Sequence, residues 1–293
     1  MPTNVRPDHY GRVQHWWRTL TVAYWLGWQI ESNWTDPFLF FIYSIARPLG
    51  AALILVFMYF VVARGGRGAL LGFFVVGTAF WPFVIAGMQG MAWSIISDRE
   101  HWRTLRYLYT SPISFRTYLV GRSLAQATAA SAAAVITLLL GRWVLGVPLH
   151  WASLNVPYTV VALGLGIAAI LALGLLVVSL AMSISGEAWR MPEGVGAALY
   201  LVCGAVFPVT VLPVSLQWVA KAIPLTWWLE ALRRGLLGAG AGTVQSFPWA
   251  SDLEVLGILA GLTAAAGAIA SVVFGMTERR ARQLGILDRE SSF

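Results

Sequence analysis

The chain has 293 residues, of which 58% are hydrophobic and 11% are charged. A typical soluble domain is about 45–50% apolar and about 25% charged, so this chain lacks the polar side chains that would cover a water-soluble surface. The composition therefore excludes an ordinary soluble domain and predicts an all-α integral membrane protein, built as one helical bundle.

The formal net charge is +7, and the positive charges are almost all arginines because Lys221 is the only lysine. The arginines lie at the ends of apolar runs and form no basic patch, which argues against nucleic acid as a partner. Cys203 is the only cysteine, so no disulfide can form within the chain.

Several motifs that are typical of enzymes are absent from the sequence. It contains no G-x-x-x-x-G-K-[ST] phosphate-binding loop and no G-x-S-x-G nucleophile motif. Its four histidines are scattered outside the apolar runs, and no Cys/His/Asp/Glu group has the spacing of metal ligands. We therefore expect no catalytic residue, no metal and no cofactor bound by this chain, and the chain is not itself an ATPase.

Residues 1–36 predict a helix that lies in the membrane interface. Apolar residues recur there at steps of three and four: Val13, Trp16, Trp17, Leu20, Tyr24 and Trp28. Tryptophans prefer the headgroup level, so we expect the helix to lie along the membrane surface. The alternative is an amphipathic helix packed on a soluble domain. No apolar core of a signal peptide follows the first arginines, and we expect the segment to be retained.

Six apolar stretches between residues 37 and 276 meet the length of about 20 residues that a membrane-spanning helix needs. They are Phe38 to Val62, Ala69 to Ile96, Tyr118 to Leu145, Asn155 to Gly186, Gly194 to Leu212, and Leu253 to Met276. Arginines are more numerous on the side that holds both termini, so we expect the termini and the tail of residues 277–293 to be cytoplasmic. The sequence thus predicts a multi-pass protein of the cell membrane.

The stretch between the second and third spans, Ser97 to Pro112, combines charges with an apolar stripe. A helix there would place Trp102, Leu105 and Leu108 on one face, away from the charged residues, and Pro112 would end it. This pattern predicts a segment that lies on the membrane and docks a cytoplasmic partner. The alternative is a basic connector that only obeys the positive-inside rule.

Three prolines, Pro208, Pro213 and Pro224, interrupt the apolar stretch at the end of the fifth span and after it. The stretch is too long for one span and too short for two, so it predicts a broken, partly re-entrant hairpin on the outer side. Glu230 precedes Arg233 and Arg234 by three and four residues, which favours ion pairing on one helical face. Trp227 and Trp228 are expected at the outer interface. The alternative is an extracellular loop helix with an ordinary aromatic belt.

These two segments carry a resemblance to the permease subunit of type-2 ABC exporters, of the daunorubicin/multidrug or polysaccharide kind. The loop of that family commonly runs acidic-Arg-Glu-x-Gly-Thr-Leu, then a small residue and Pro, and this chain has Arg103 where glycine is common. The matching residues are Asp98, Arg99, Glu100, Thr104, Leu105, Ser111 and Pro112. The family patterns F-P-x-x-x-L-P and P-L-T-[YW]-x-x-E-x-x-R match residues between Phe207 and Arg234.

The resemblance implies a single transporter transmembrane domain over residues 1–293, whose loop is a coupling helix that fits a groove on an ATP-binding subunit. The ATPase-coupling residues would be Asp98, Arg99, Glu100, Arg103, Thr104, Leu105, Arg106 and Pro112. The outer hairpin would be marked by Pro208, Pro213, Pro224, Thr226, Trp227, Glu230 and Arg233.

The implied assembly has two copies of an ABC ATPase subunit, which bind ATP and Mg, and a second permease subunit that is identical or different. The implied function is export of an amphipathic substrate, drug-like or lipid-like, from the cytoplasm. A lipid-linked glycan or polysaccharide is the rival substrate. An intramembrane enzyme and a membrane scaffold without transport are alternatives of other classes.

Arg47 is the one charge well inside a predicted span, and Pro48 follows it. Such a charge either lines a cavity or pairs across an interface, or it bonds the carbonyls that the proline frees. Aromatic residues of the second span are candidates for lining a substrate path, with ordinary packing as their alternative. They are Phe73, Phe74, Phe80, Trp81, Phe83 and Trp93.

Overall fold

The computed structural model describes residues 9–32, 70–100, 104–111, 113–147, 154–183, 190–238 and 244–284, and isolated positions at 38, 42, 46, 50, 53, 54 and 57. Within these residues the chain is helical and has no strand, which confirms the all-α part of the predicted fold class. The α-helices are α1 (His9–Ser32), α2 (Leu70–Val84), α3 (Gly90–Glu100), α4 (Leu105–Thr110), α5 (Phe115–Trp143), α6 (Val156–Ser183), α7 (Met191–Val202), α8 (Val214–Ala222), α9 (Pro224–Leu237) and α10 (Asp252–Leu284). A π-helical turn, Ile85–Gln89, joins α2 to α3, and a 3-10 turn, Val209–Val211, precedes α8.

Four helical stretches of the described residues are long and apolar enough to cross a membrane. They are Leu70–Arg99, Phe115–Trp143, Val156–Met182 and Asp252–Gln283. These stretches agree with the second, third, fourth and sixth predicted spans. The shortest has 27 residues, and its length of about 40 Å exceeds the hydrocarbon thickness of about 30 Å. The first predicted span, Phe38 to Val62, lies outside the described residues apart from the isolated positions.

The fifth predicted span, Gly194 to Leu212, is not a continuous helix. Helix α7 ends at Val202 after 12 residues, which gives it a length of about 18 Å, too short to cross the hydrocarbon layer. Gly204 then adopts φ +71°, a conformation that L residues with a side chain disfavour. The chain continues through the 3-10 turn, so the prediction is corrected to a short helix followed by an irregular segment.

The helix directions define two ends of the bundle. Helices α2, α6 and α10 begin at one end, where the backbone nitrogen of Asn155 donates to the carbonyl of Gly235 and where Arg234 bonds Asp252. We call this the Arg234 end. Helix α3 ends and α5 begins at the opposite end, where the ring of Phe115 stacks on that of Phe274. We call this the Asp98 end.

Helix α1 packs along α5 through small residues. A Cβ added to Gly121 would lie 2.6 Å from the Cβ of Ala23, and one added to Gly27 would lie 3.0 Å from the Cβ of Ala125. The two backbones are therefore closer than larger side chains would allow, as is usual for helices that associate in lipid. The predicted N-terminal helix is confirmed. Its location in the membrane interface stays a prediction.

Candidate functional site

The segment after the second span is divided between two helices. Asp98, Arg99 and Glu100 are the last residues of α3, whereas α4 is a separate helix of 6 residues. The backbone nitrogen of Thr104 donates to the carbonyl of Asp98 at 2.9 Å, and Thr104 is not helical. The prediction of one continuous helix from Asp98 to Pro112 is corrected accordingly.

Asp98 lies inside the bundle and is only 2% exposed. Its Oδ2 accepts a hydrogen bond of 2.7 Å from the Tyr118 hydroxyl, and its Oδ1 accepts one of 3.2 Å from Nη1 of Arg122. Nη1 of Arg122 also donates to the Tyr118 oxygen at 2.7 Å. A buried carboxylate is tolerated only when it is paired and hydrogen-bonded in this way. Asp98 was named as an ATPase-coupling residue, a role that stays a prediction; its side chain is buried and joins α3 to α5.

Tyr118 and Arg122 were missed as site residues by the sequence analysis. They are four residues apart on α5, so they lie on the same helical face. A signal was present, because Arg122 stands seven residues after Phe115, whereas the other two charges of α5, Arg116 and Arg142, lie near the ends of the helix. An arginine at that depth needs a buried partner, and Asp98 at the end of the preceding span is the acid within reach. We call these three residues the Asp98 cluster.

Helix α1 reaches the same cluster. A Cβ added to Gly27 would lie 3.1 Å from the Cα and 3.4 Å from the Cδ of Arg122, so the absence of a side chain admits the arginine stem. Burial raises the pKa of the half-buried Glu31, and the positive charge of Arg122 opposes that shift. The guanidinium of Arg122 therefore lies within the electrostatic reach of an acid from a third helix.

The other residues predicted to couple to an ATPase remain predictions. Thr104 is exposed and Arg99 is half-buried. Arg103 and Pro112 lie outside the described residues, and only the backbone is described for Glu100, Leu105 and Arg106.

The predicted proline breaks are found at the Arg234 end. Pro208 directly precedes the 3-10 turn, Pro213 precedes α8, and Pro224 is the first residue of α9. A proline is well tolerated at the first helical position because the amide that it lacks would have no partner there. The prolines therefore set the starts of successive short elements. Whether α8 and α9 form a re-entrant hairpin in the membrane stays a prediction.

Glu230 pairs with one of the two arginines that follow it. Its Oε1 accepts a hydrogen bond of 3.1 Å from Nε of Arg234, and its Oε2 accepts one of 3.1 Å from the backbone nitrogen of Ser246. Arg234 also donates to the carbonyls of Phe247 at 2.6 Å and Ala250 at 2.7 Å, and to Asp252 at 3.1 Å. The ion pair and these bonds attach α9 to the segment that leads into α10.

The side chain of Arg233 lies on a different side of α9 from that of Arg234. Its Nη2 donates to the carbonyls of Gly204 at 2.7 Å and Ala205 at 3.2 Å, and its Nε donates to the carbonyl of Phe73 at 3.3 Å. Its guanidinium also lies 3.4 Å from the centroid of the Phe73 ring. The bonds satisfy carbonyls beyond the C-terminus of α7, where the helix dipole favours a positive charge. Arg233 thus joins α9 to α2 and to the irregular segment after α7.

The two tryptophans expected at the outer interface are buried in protein. Trp227 is 3% exposed, stacks on Phe247 and donates to the carbonyl of Lys221 at 2.8 Å. Trp228 is fully buried and contacts Phe80 at a centroid distance of 6.0 Å. The prediction was wrong because α9 is surrounded by α2, α6 and α10 and has no face left for lipid. Thr226 is buried in the same helix.

The aromatic residues proposed for a substrate path have different surroundings. Phe80 and Phe83 are buried and stack on each other in the core at the Arg234 end, which supports packing as their role. Trp81 is half-buried against Tyr200, and Trp93 is 54% exposed. Arg47 lies outside the described residues. No contact tests a substrate path, which therefore stays a prediction.

A comparison with protein families identifies the chain. A family model described as ABC-2 type transporter matches residues 19–237, which is most of the chain and includes both the Asp98 cluster and α9. No curated protein matches the chain at a significant level. Among the described residues, no group of three or more His, Cys, Asp or Glu residues could hold a metal ion. With its several membrane-spanning helices, the chain belongs to the ABC-2 type transporter family as a multi-pass transmembrane permease.

Proposed function

We propose that this permease is the membrane subunit of an ATP-driven exporter that moves an amphipathic, drug-like or lipid-like substrate out of the cytoplasm. Two permease subunits and two copies of a separate ATPase subunit, which binds ATP and Mg, form the working complex. The termini and the Asp98 end face the cytoplasm at the plasma membrane. Helices α8 and α9 form a re-entrant hairpin at the outer side, and α1 lies in the membrane interface.

One observation supports the proposal that an ATPase docks at the Asp98 end. Asp98, in the last turn of α3, is buried and hydrogen-bonded, whereas Thr104, Tyr107 and Thr110 in the segment 104–111 are exposed. In the sequence, Arg103 directly precedes this segment and Arg106 lies within it. A short, charged helix next to a buried, bonded residue is suited to transmit the movement of a soluble partner, because Asp98 cannot shift without moving the helices that it joins.

Charge reversal tests the docking. Arg103→Glu with Arg106→Glu is expected to insert into the membrane normally but to lose co-purification of the ATPase subunit, because like charges across an interface cost several kcal/mol. The control is Arg279→Glu with Arg280→Glu, which reverses two exposed charges at the end of α10. If the first variant retains the ATPase and its substrate-stimulated turnover, the docking site is not this segment.

The substrate class is tested by measuring the ATP turnover of the reconstituted wild-type complex. Amphipathic drugs and lipids are expected to stimulate turnover, whereas lipid-linked glycans are not. Stimulation by the glycans alone would overturn the proposed substrate and favour its rival.

Cysteine labelling tests the orientation. In a Cys203→Ser background, Ser215→Cys in α8 is expected to react with an impermeant thiol reagent added to intact cells, and Arg280→Cys in α10 is expected to be shielded. Both positions are exposed on the protein surface, so burial within the chain cannot explain a difference. The reverse pattern would invert the orientation and remove the cytoplasmic docking surface.

A further inference from the structure

The Asp98 cluster stands at the junction of three helices. Asp98 belongs to α3, Tyr118 and Arg122 belong to α5, and Glu31 of α1 lies within the electrostatic reach of Arg122. The segment 104–111, in which Thr104, Tyr107 and Thr110 are exposed, begins directly beside it, because the backbone nitrogen of Thr104 donates to the carbonyl of Asp98. Movement of the segment therefore acts on Asp98 through the backbone.

The contacts continue from Asp98 into the bundle. The carboxylate is bonded to Tyr118 and Arg122, so a displacement of Asp98 acts on α5. Helix α5 is in turn in close backbone contact with α1 at Gly121 and at Gly27. Packed helices of this kind move as bodies because close-packed interiors resist local compression.

The Asp98 cluster is not an efficient way to stabilise the fold. Arg122 uses one nitrogen for its hydrogen bonds to Asp98 and Tyr118, and its buried Nε has no hydrogen-bond partner among the described residues. Burying an ion pair costs solvation free energy that apolar side chains of similar volume would not lose. Replacing a buried ion pair by apolar side chains of similar volume is often neutral or stabilising, so stability alone does not account for the ionic contact.

We infer that Asp98 and Arg122 are positioning residues that transmit movement of the segment 104–111 to α5 and α1. This inference rests on the proposed function, because the movement is driven by the ATPase. The ion pair makes α3 and α5 respond together in both states of the transport cycle, through a directional bond that apolar contact does not supply.

Two paired variants test the inference without leaving a buried charge unpaired. Asp98→Leu with Arg122→Met replaces the ion pair by apolar side chains, and Asp98→Arg with Arg122→Asp exchanges the charges. Both are compared with Glu278→Leu with Arg282→Met, which removes an ion pair of 2.6 Å at the accessible end of α10. The readouts are the thermal midpoint, co-purification of the ATPase, and the amount of substrate transported per ATP hydrolysed.

The apolar pair is expected to fold and to bind the ATPase, but to transport at least about fivefold less substrate per ATP, the low end of typical coupling between sites. The exchanged pair is expected to recover part of this loss, and the Glu278/Arg282 control to lose none. Wild-type transport per ATP in the apolar pair would overturn the inference.

Two further outcomes would also overturn it. Loss of ATPase co-purification in the apolar pair would mean that the cluster shapes the docking surface itself. A collapse of the thermal midpoint in both paired variants would assign the cluster to stability. The proposed function fails separately, through the Arg103 and Arg106 reversal or through a wild-type complex without substrate-linked ATP turnover.

Discussion

The two ends of the bundle both bury charged side chains, but they hold them in different ways. At the Arg234 end, Arg234 donates to two carboxylates and to two backbone carbonyls. At the Asp98 end, Arg122 donates through Nη1 to one carboxylate and one phenol oxygen. One end uses backbone acceptors in fixed segments, and the other uses side chains that project from different helices.

These two bonding patterns indicate which end of the bundle holds its shape. Each bond from Arg234 or Arg233 to a backbone carbonyl constrains a particular segment, so separating these segments would leave several buried polar groups unsatisfied at once. The bonds of the Asp98 cluster run between rotatable side chains. None of these bonds ends on a backbone carbonyl, so α3 and α5 can move together relative to the Arg234 end while the cluster stays bonded. We therefore expect the Arg234 end to be the rigid end and the Asp98 end to be the one that moves.

Arg234→Leu is expected to produce the largest loss of stability. Glu230 is 1% exposed, and removing its cationic partner leaves a buried, uncompensated charge, which typically costs about 3–5 kcal/mol. The measurement is the free energy of unfolding in mixed micelles, together with the yield of monodisperse protein. Arg282→Leu is the control, because Arg282 is also paired with a glutamate four residues away but its side chain is 55% exposed.

The control is expected to change stability by less than about 1 kcal/mol, as is usual for exposed ion pairs. Similar losses in the two variants would mean that the Arg234 end is not held by its buried network. There would then be no physical reason to expect the Arg234 end to be the rigid one.

At the Arg234 end, the breaks between short elements were predicted better than the surroundings of the residues. The positions of Pro208, Pro213 and Pro224 marked the starts of short elements, because a missing amide and a fixed φ act locally. The pairing of Glu230 with Arg234 followed from helical spacing. Local rules of this kind can be read from a single sequence.

The surroundings of these residues could not be predicted in the same way. Helix α9 is buried on all its faces, which the sequence alone does not reveal, so Trp227 and Trp228 were wrongly expected at the outer interface. Asp98 and Arg122 are separated by 24 positions, and their contact depends on how α3 packs on α5. Such contacts depend on tertiary structure that spacing alone does not contain.

A second prediction concerns the packing of α9 against α6. The indole of Trp228 lies on the bare backbone at Gly166, where an added Cβ would stand 1.8 Å from Nε1. Gly166→Ala therefore forces a fully buried ring to move, and overpacking of this kind costs about 1–3 kcal/mol. Gly164→Ala is the control on the same helix, because nothing lies within 4 Å of its added Cβ.

The measurement is the thermal midpoint of both variants in detergent. Gly164→Ala is expected to leave the midpoint unchanged or slightly raised, since alanine favours a helix more than glycine does. Equal midpoints for Gly166→Ala and the wild type would show that α9 can shift on α6. That result would contradict a rigid Arg234 end.

The smallest expected effect lies between the two ends, at the π-helical turn Ile85–Gln89. The hydroxyl of Ser123 on α5 donates to the carbonyl of Gly87 in this turn at 2.8 Å, and the serine is fully buried. Ser123→Ala removes the hydroxyl that donates this bond and is expected to lower the free energy of unfolding by about 1 kcal/mol, the usual net value of such a bond.

Ser94→Ala is the control, because the Ser94 hydroxyl donates to the carbonyl of Gly90 four residues earlier in its own helix. Because that bond joins no second helix, its loss is expected to leave the free energy of unfolding nearly unchanged. A larger loss for Ser94→Ala than for Ser123→Ala would mean that the turn is not held by α5. The rigid end would then extend no further than the contacts of α9.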